Sequence, residues 1–405
     1  MAKMHTVSTT ARVDRAYLVA ADIRGAMLPA EESLRELGEL AGTAGATVVG
    51  STTQRMERPN VATYIGKGKV DEVLEAIREL DANVAVFDDE LSPSQQRNLE
   101  RALGVKVIDR TALILDIFAT RAHTREGRLQ VALAQHQYLL PRLAGQWSHL
   151  ERLEGAIGTR GPGETQIETD RRLIRNRIAK IRRDLEDVRK QRSLYRRQRQ
   201  RQGIPVVALV GYTNAGKSTL MRALSGADVL AEDKLFATLD PVTRRLRLTT
   251  GETVLLTDTV GFIQKLPHDL VAAFRATLEE LEEADLLLHV IDISHPHAFE
   301  HSQTVDATLA ELGVSDRPTL LVLNKADLLR GEDGEVPGSY EEAVACLAGA
   351  GPQPSNVVLT SAERRWGLDE LRAAIADALD GGLELARTAE PGEVLRVASP
   401  ARAAV

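Results

Sequence analysis

The sequence predicts an α/β fold, and three features of the chain support this. Short apolar stretches alternate with amphipathic ones over the first part of the chain, which is typical of a small parallel sheet flanked by helices. Two long helical stretches with heptad-like apolar spacing follow and predict an antiparallel helical hairpin. A buried strand that leads into a glycine-rich loop and a helix then opens a third domain with a mostly parallel sheet. We predict a disordered N-terminus at 1–11, an N-terminal α/β domain at 12–120, the hairpin at 121–202, the third domain at 203–380 and a short tail at 381–405.

Composition and charge limit the class of protein. The chain has 405 residues, a net charge of −7 and one cysteine, Cys346, which excludes an intrachain disulfide framework and indicates a reducing compartment. The N-terminus lacks the apolar core of a signal peptide, and no apolar run approaches membrane-spanning length, so we predict a cytoplasmic protein. Residues 171–202 contain 14 Lys or Arg and 3 Asp or Glu, a local charge of 14 − 3 = +11. This concentration of positive charge indicates contact with a polyanion.

The N-terminal domain contains one glycine- and lysine-rich segment at 66–69, just before a predicted helix. It fits either an anion or nucleotide site at a helix N-terminus or a tight turn with two solvated lysines, and the absence of full phosphate-loop spacing favours the turn. Ser92 is the predicted N-cap of a further helix, with Pro93 in its first position. The other predicted strands and helices are strands at 16–21, 47–50, 83–87 and 105–108, and helices at 31–41, 69–80 and 111–119.

The hairpin is predicted from apolar spacing. One helix covers 129–143, and a longer one begins at about Glu168. In the longer helix, apolar residues recur at spacings of four and three residues from Ile174 to Tyr195. The segment at 155–166 is rich in glycine, so it has little helical propensity and forms either a plain connector or a functional tip. The arginine-rich end at 195–202 is either part of the polyanion contact or a solvated helix face.

Residues 211–218 fit the phosphate-loop pattern G-x-x-x-x-G-K-[ST], between a predicted strand at 206–210 and a helix. Glycines at both ends let a phosphate chain approach the backbone, and the loop N–H groups with the helix N-terminus form an anion cavity. Lys217 is expected to reach the β- and γ-phosphates, and Ser218 to take one Mg²⁺ position. The candidate nucleotide-binding residues in this segment are Gly211, Tyr212, Thr213, Asn214, Ala215, Gly216, Lys217, Ser218 and Thr219.

A second motif follows the predicted buried strand at 253–257. Residues 258–261 fit D-x-x-G, in which Asp258 would hold Mg²⁺ through water and the Gly261 N–H would reach a γ-phosphate. Open α/β sheets bind ligands at the carboxyl ends of their strands, so this motif and the phosphate loop are expected to meet at one edge of the sheet.

The base specificity is predicted from two further strand ends. Asn324, Lys325 and Asp327 follow a strand at 319–323. The Asp327 carboxylate can accept hydrogen bonds from guanine N1–H and the exocyclic amino group, which adenine cannot match, and Lys325 can lay its stem over the purine. Ser361 and Ala362 follow a strand at 356–359, where the Ala362 N–H could meet guanine O6.

In this order the motifs resemble the guanine-nucleotide fingerprint of translation-factor-related GTPases over residues 205–379. The resemblance implies GTP hydrolysis and a threonine in a mobile first switch that binds Mg²⁺ and senses the γ-phosphate. Thr238 lies between the phosphate loop and the D-x-x-G motif, where this threonine is expected, and it is preferred to Thr243 and Thr249. The implied catalytic residues are Lys217, Thr238 and Gly261, and the implied Mg²⁺ ligands are Ser218 and Thr238, with Asp258 through water.

Two residues narrow the class of GTPase. Phe262 stands where many small GTPases carry a water-orienting glutamine, and a phenyl ring cannot orient water by hydrogen bonding, so we predict slow intrinsic hydrolysis that a partner accelerates. GTPases that resemble this one in the Asn-x-x-Gly-Lys-Ser loop often bind K⁺ through the asparagine. Asn214 is therefore either a K⁺ ligand or a loop residue that bonds its own backbone.

Over nearly the whole chain the sequence resembles the HflX family of GTPases. The resemblance is carried by five motifs at 66–69, 161–166, 168–172, 236–240 and 258–263. It implies a protein that binds the large ribosomal subunit, contacts ribosomal RNA with its N-terminal region and hairpin, and splits or rescues stalled ribosomes under heat or antibiotic stress. We expect the protein to be a monomer. Many relatives carry a small further domain where this chain is predicted to have only a tail. The implied RNA contacts are Arg160, Arg171, Arg172, Arg175, Arg182, Arg183, Arg196 and Arg197.

Two alternatives stay open at this point. One is an RNA- or ribosome-binding assembly factor that uses nucleotide as a structural switch with little turnover, which is compatible with Phe262. The other is a dual enzyme with a second site for ATP in the N-terminal domain.

Overall fold

A computed structural model describes residues 13–25, 27–146, 162–201, 203–226, 235–267, 281–331, 334–348 and 356–381. The chain divides into two compact units, one up to Ile117 together with residues 144–148, and one that contains the rest from Phe118 onward. The predicted N-terminal segment 1–11, residues 155–161 of the predicted hairpin tip and residues 382–405 of the predicted tail lie outside the described residues. Among the described helices, none is both long enough and apolar enough to cross a membrane.

The first unit is a parallel α/β sheet, as predicted. Its four strands lie in the order β2-β1-β3-β4, and every adjacent pair is parallel. Both faces of β1 are buried because helices cover the sheet, which explains its continuous apolar run. Ser92 caps its helix through a capping box with Gln95, with Pro93 in the first turn. Its elements are β1 (Arg15–Ile23), α1 (Ala30–Thr43), β2 (Thr47–Met56), α2 (Lys67–Glu79), β3 (Val84–Phe87), α3 (Pro93–Leu103) and β4 (Lys106–Asp109). Helix α4 (Arg110–Arg121) follows, and its residues from Phe118 onward belong to the second unit.

Two long helices follow, α5 (Arg125–Gln146) and α6 (Pro162–Arg201), and they belong to the second unit except for residues 144–146. They pack through buried Leu133 of α5 and Ile178, Ile181 and Leu185 of α6, which belong to the predicted apolar stripes. The start of α6 differs from the prediction, since the backbone is already helical at Pro162 rather than from about Glu168. Proline fits the first position of a helix because the backbone N–H at that position has no partner within the helix, so a residue that lacks it loses no bond. The proline of the glycine-rich segment therefore starts the helix.

The remainder of the second unit is a six-stranded sheet in the order β10-β9-β8-β5-β7-β6. All pairs are parallel except β6 with β7, so the predicted mostly parallel sheet is confirmed. The central strands β5, β8 and β9 are almost wholly buried and place their carboxyl ends side by side. The elements are β5 (Val206–Gly211), α7 (Lys217–Ser225), β6 (Val242–Arg247), β7 (Thr253–Asp258), β8 (Leu286–Asp292), α8 (Ala298–Glu311), β9 (Thr319–Asn324), a 3₁₀ turn (Ala326–Leu328), α9 (Tyr340–Ala348), β10 (Val357–Leu359) and α10 (Leu368–Leu379).

Candidate nucleotide-binding site

The phosphate loop joins β5 to α7 and is held in place by close backbone contacts. A Cβ on Gly211 would lie 2.3 Å from the Val290 carbonyl oxygen, and one on Gly216 would lie 2.3 Å from the side-chain nitrogen of Asn324. Gly216 also has a φ of 91°, which disfavours other residues. Both positions therefore require glycine for packing within the protein, in addition to the predicted access for phosphate.

Lys217 lies at the centre of the site with its side chain buried. Its Nζ donates hydrogen bonds to the carbonyl oxygens of Gly211 at 3.0 Å and Tyr212 at 2.8 Å. Burial lowers the pKa of Lys217 to about 8, and the nearby Asp258 carboxylate opposes this effect. A buried ammonium group whose partners among the described residues are carbonyl oxygens favours binding of an anion beside it, as expected for the phosphates of a nucleotide.

Ser218, Thr238 and Asp258 form a hydrogen-bonded group at the edge of the loop. The Ser218 hydroxyl lies 2.8 Å from the Thr238 hydroxyl, and the two donate to Asp258 Oδ2 at 2.6 Å and 3.0 Å. The structure therefore brings together the three predicted Mg²⁺-binding residues. The weaker candidate Thr243 instead pairs with Thr257 across β6 and β7 at 3.0 Å.

This group has the oxygen donors that Mg²⁺ prefers. Asp258 Oδ1 is buried and has no hydrogen-bond partner among the described residues, and burial raises the pKa of this carboxyl group. A buried carboxylate oxygen without a partner is costly unless a cation or a bound water satisfies it. The arrangement thus fits a metal ion held directly by the two hydroxyls and through water by Asp258.

Gly261 closes one side of the cleft above the phosphate loop. A Cβ here would lie 2.8 Å from Thr213 Cα and 3.1 Å from Lys217 Nζ, so only glycine fits. The Thr213 hydroxyl is buried in the same place without a partner among the described residues, which makes it a donor available to a ligand. The cleft is lined by the predicted residues Thr213, Asn214, Gly216, Lys217, Ser218, Thr219, Thr238 and Gly261, and also by Phe236, Ala237 and Thr259.

Phe262 connects the D-x-x-G segment to the phosphate loop through its backbone. Its carbonyl accepts from the Thr213 N–H at 2.7 Å, and its N–H donates to the Gly211 carbonyl at 3.1 Å. The phenyl ring is 2% exposed and lies in the core. This position therefore supplies packing and no side chain that could orient water, in agreement with the argument from its chemistry.

Asn324 connects the two ends of the site. Its side-chain nitrogen donates to the Ala215 carbonyl at 2.9 Å, and its Oδ1 accepts from the Ala362 N–H at 3.1 Å. The predicted bond from the Ala362 N–H to guanine O6 would therefore have to be shared with Asn324. This bridge joins the phosphate loop to the segment after β10, a role that the motif alone did not predict.

The residues predicted to recognise the base are positioned by side-chain contacts. Asp327 Oδ1 accepts a hydrogen bond of 2.6 Å from the Ser361 hydroxyl, which fixes the carboxylate. Lys325 has a φ of 64°, and its Nζ lies 2.8 Å from Asp292 Oδ2 at the end of β8. Asp292 was missed in the sequence, although an acidic residue at the carboxyl end of an apolar stretch is the signal that could have indicated it.

Asn214 is exposed in the cleft with a φ of 60°. Its side chain makes no hydrogen bond to another described residue, so the alternative in which it bonds its own backbone gains no support. Binding of K⁺ by Asn214 stays a prediction.

The predicted RNA-contacting arginines occupy one long helix where they are described. Arg172, Arg175, Arg182 and Arg183 are exposed on α6, and Arg171 is half-buried. Arg160 lies outside the described residues, as do the side chains of Arg196 and Arg197. Two further exposed arginines of α6, Arg177 and Arg189, were not singled out from the sequence.

The Gly-Lys-Gly-Lys segment of the first unit forms the start of α2. The Gly66 N–H donates to Gln54 Oε1 at 2.8 Å, and Lys69 pairs with Glu72 at 2.7 Å. At the ends of β3 and β4, the buried Arg110 pairs with Asp88 at 2.7 Å. These contacts favour the turn over a phosphate site, and binding of ATP by this unit stays an untested alternative.

Comparison with known proteins agrees with this geometry. Three family models match, described as the N-terminal region of a GTP-binding GTPase (residues 31–119), its middle region (121–199) and a 50S ribosome-binding GTPase (206–325). The GTPase HflX of Caldanaerobacter subterraneus is 58% identical over 299 residues, which cover 74% of this chain and 70% of that protein. The Escherichia coli GTPase HflX is 48% identical over 351 residues, with 86% and 80% covered. This chain belongs to the HflX family.

Membership of the HflX family makes the chain a GTP hydrolase, and its GTPase domain supports binding of GTP and GDP. The assignment of guanine nucleotide to this cleft stays a prediction. Among solved structures, a GTP-binding protein of Sulfolobus solfataricus in complex with GDP is 24% identical, covers 91% of this chain and 99% of its own, and has a TM-score of 0.45. The α/β fold predicted from the sequence is confirmed by the two sheets described above, and the resemblance to the HflX family is confirmed by the family models and the relatives.

Proposed function

We propose that this HflX-family GTPase binds the large ribosomal subunit and uses GTP binding and hydrolysis to split or rescue stalled ribosomes, especially under heat or antibiotic stress. The observation that carries the proposal is the exposed arginine stripe of α6 in the same compact unit as the GTP site. The match of residues 206–325 to a family described as 50S ribosome-binding GTPases supports the choice of partner.

The arginine stripe is separated from the packed face of α6. At about 100° per residue, Arg172, Arg175, Arg182 and Arg183 fall within roughly 100° of one another around the helix. The buried residues Ile178, Ile181 and Leu185 lie outside that sector. The stripe therefore presents several guanidinium groups at once, a device for contacting an RNA backbone.

In the GTP site, the predicted residues divide between binding the phosphates and holding Mg²⁺. The Lys217 ammonium group binds the β- and γ-phosphates, and the Gly261 N–H contacts the γ-phosphate. Ser218, Thr238 and Asp258 would hold Mg²⁺, which neutralises phosphate charge when bound. Loss of the γ-phosphate on hydrolysis removes the ligand that orders Thr238 and Gly261, so both segments can relax. Because residue 262 supplies no group to orient water, ordering of these segments by the ribosome accelerates hydrolysis.

The proposal is tested by measuring GTP turnover with and without purified large ribosomal subunits. We expect slow turnover alone and a rise of at least about a hundredfold with the subunits, within the range known for GTPase activation by partners. In parallel, a non-hydrolysable analogue should support one stoichiometric round of 70S dissociation, and GTP should support several. If turnover stayed unchanged while the subunits bound, the assembly-factor alternative would be favoured. If 70S ribosomes dissociated neither with GTP nor with the analogue, splitting would be contradicted.

A charge variant tests the α6 contact separately. Arg175→Gln combined with Arg182→Gln should keep the intrinsic turnover but weaken subunit binding, and the slope of log K against log salt should fall by roughly one per lost phosphate contact. Arg330→Gln, at an exposed position after β9, is the matched control. An unchanged salt slope in the double variant would show that the stripe is only a solvated helix face.

A further inference from the structure

The segment around Thr238 is anchored outside the nucleotide site. Two residues after Thr238, the Asp240 carboxylate accepts hydrogen bonds from the backbone N–H groups of His123 and Thr124, each at 2.8 Å. It also accepts one from the Thr124 hydroxyl. These residues are more than 110 positions apart in sequence, and all lie in the second unit. Asp240 thereby connects the segment around Thr238 to the start of α5.

The start of α5 is built to receive this carboxylate. The Thr124 hydroxyl accepts from the Gly127 N–H at 3.0 Å, as an N-cap does, and the helix begins at Arg125. A Cβ on Gly127 would lie 2.3 Å from Asp240 Oδ1, so any other residue would displace the carboxylate. A negative charge at a helix N-terminus is also favoured by the helix dipole. Hydrogen bonds, steric fit and electrostatics therefore support the same contact.

A second contact holds the segment on the other side of Thr238. The ring of Phe236 packs edge-on against Phe118, with centroids 4.7 Å apart, and both rings are almost fully buried. Thr238 thus lies midway between two anchors, each two residues away, a distance of about 7 Å in extended chain. Because its hydroxyl must stay within hydrogen-bond distance of Ser218 and Asp258, a shift of either anchor would misplace it.

We propose that Asp240 is a positioning residue that couples the γ-phosphate-sensing Thr238 to the first turn of α5. Order imposed on Thr238 by GTP strengthens the Asp240 contact and fixes the start of the hairpin. By thermodynamic reciprocity, a partner that fixes the start of α5 raises the affinity for GTP relative to GDP. The coupling rests on the γ-phosphate-sensing role proposed for Thr238, and the identity of the partner as the large ribosomal subunit rests on the proposed ribosomal function.

The coupling is tested without ribosomes, by measuring Kd for GDP and for a non-hydrolysable GTP analogue separately. Asp240→Ala should raise Kd for the analogue by about 5- to 30-fold, within the usual range of allosteric couplings, and change Kd for GDP by less than about twofold. Thr124→Val should have a smaller effect in the same direction and add little to Asp240→Ala, because the two residues share one contact. Asp240→Asn, which keeps an acceptor oxygen, should lie between wild type and Asp240→Ala, and Asp316→Ala, at an exposed site after α8, is the matched control.

Amide hydrogen exchange provides a second readout. In the wild type, the analogue should slow exchange at residues 125–128 relative to GDP, and in Asp240→Ala this difference should disappear. If Asp240→Ala raised Kd equally for GDP and for the analogue, or if the difference in exchange persisted in the variant, the proposal would be overturned and Asp240 would have a purely structural role. Since no ribosome is present, this outcome is independent of whether the protein splits ribosomes.

Discussion

Replacing Lys217 by methionine is expected to weaken GTP binding by at least about a hundredfold. The Lys217 ammonium group is buried, its hydrogen-bond partners in the described part of the chain are two loop carbonyls, and the Asp258 carboxylate lies nearby. Removing one partner of a buried charge interaction costs about 3–5 kcal/mol, and the tetra-anionic phosphate chain would lose its main compensating charge. Methionine keeps an unbranched stem of similar length, so the loop should retain its packing.

The measurement is a titration with a fluorescent GTP analogue, combined with thermal unfolding of the nucleotide-free protein. The melting temperature of Lys217→Met should stay close to that of the wild type, because loss of two hydrogen bonds is offset by removal of a desolvated charge. Lys106→Met, at an exposed position in β4, controls for loss of a lysine. An affinity within about threefold of wild type would show that Lys217 does not bind the phosphates.

The pH dependence of binding gives an independent check on the same group. Without nucleotide the pKa of Lys217 is about 8, and phosphates beside it should raise the pKa. Above pH 8, binding therefore takes up a proton, and GTP affinity should fall by up to about tenfold per pH unit. The pKa of Lys217 in the folded protein lies below the ordinary value of 10.5, so between pH 8 and 10.5 the unfolded chain binds more protons than the folded one. The free energy of unfolding of the nucleotide-free protein should therefore rise with pH in this range. Lys217→Met should show neither trend.

The parts of the molecule that could be predicted from sequence are those set by local patterns. The phosphate loop, the strand before it and the helix after it depend on consecutive residues, and the structure places them as expected. Ser92 and Pro93 are similarly local, because an N-cap and a first-turn proline act within one helical turn. Ser218 and Asp258 could be assigned to one metal group because both follow buried strands of a parallel sheet.

The parts that could not be predicted depend on pairing between distant segments. Strand β6 has two exposed arginines in a row and pairs antiparallel at the edge of the sheet, so its sequence resembles a polar loop. Asn324 was assigned to the nucleotide, but its bridge to Ala215 and Ala362 depends on how three loops meet. The contact of Asp240 with Thr124 joins two regions that were predicted to be separate domains, the hairpin and the third domain.

Replacing Asp327 by asparagine is expected to lower GTP affinity by roughly a hundredfold and to favour xanthosine triphosphate. The carboxylate is fixed by the Ser361 hydroxyl at 2.6 Å, which leaves its other oxygen available to the base. Guanine donates from N1–H and the amino group, and each such bond to a charged acceptor contributes about 1.5–3 kcal/mol. An asparagine amide would place a donor opposite one of these donors. Xanthine has a carbonyl in place of the amino group, and this carbonyl can accept from the new amide.

The test compares Kd for both nucleotides in the wild type and in Asp327→Asn. The ratio of GTP to xanthosine triphosphate affinity should invert, while intrinsic turnover with the new nucleotide should approach that of wild type with GTP, because the phosphate site is untouched. Asp316→Asn, exposed after α8, is the control for a lost carboxylate. If both affinities fell equally, Asp327 would be holding the loop through Ser361 and not the base. If GTP affinity stayed unchanged, specificity would have to come from backbone groups such as the Ala362 N–H, which already donates to Asn324. The inversion therefore separates recognition of guanine by this carboxylate from support of the loop around it.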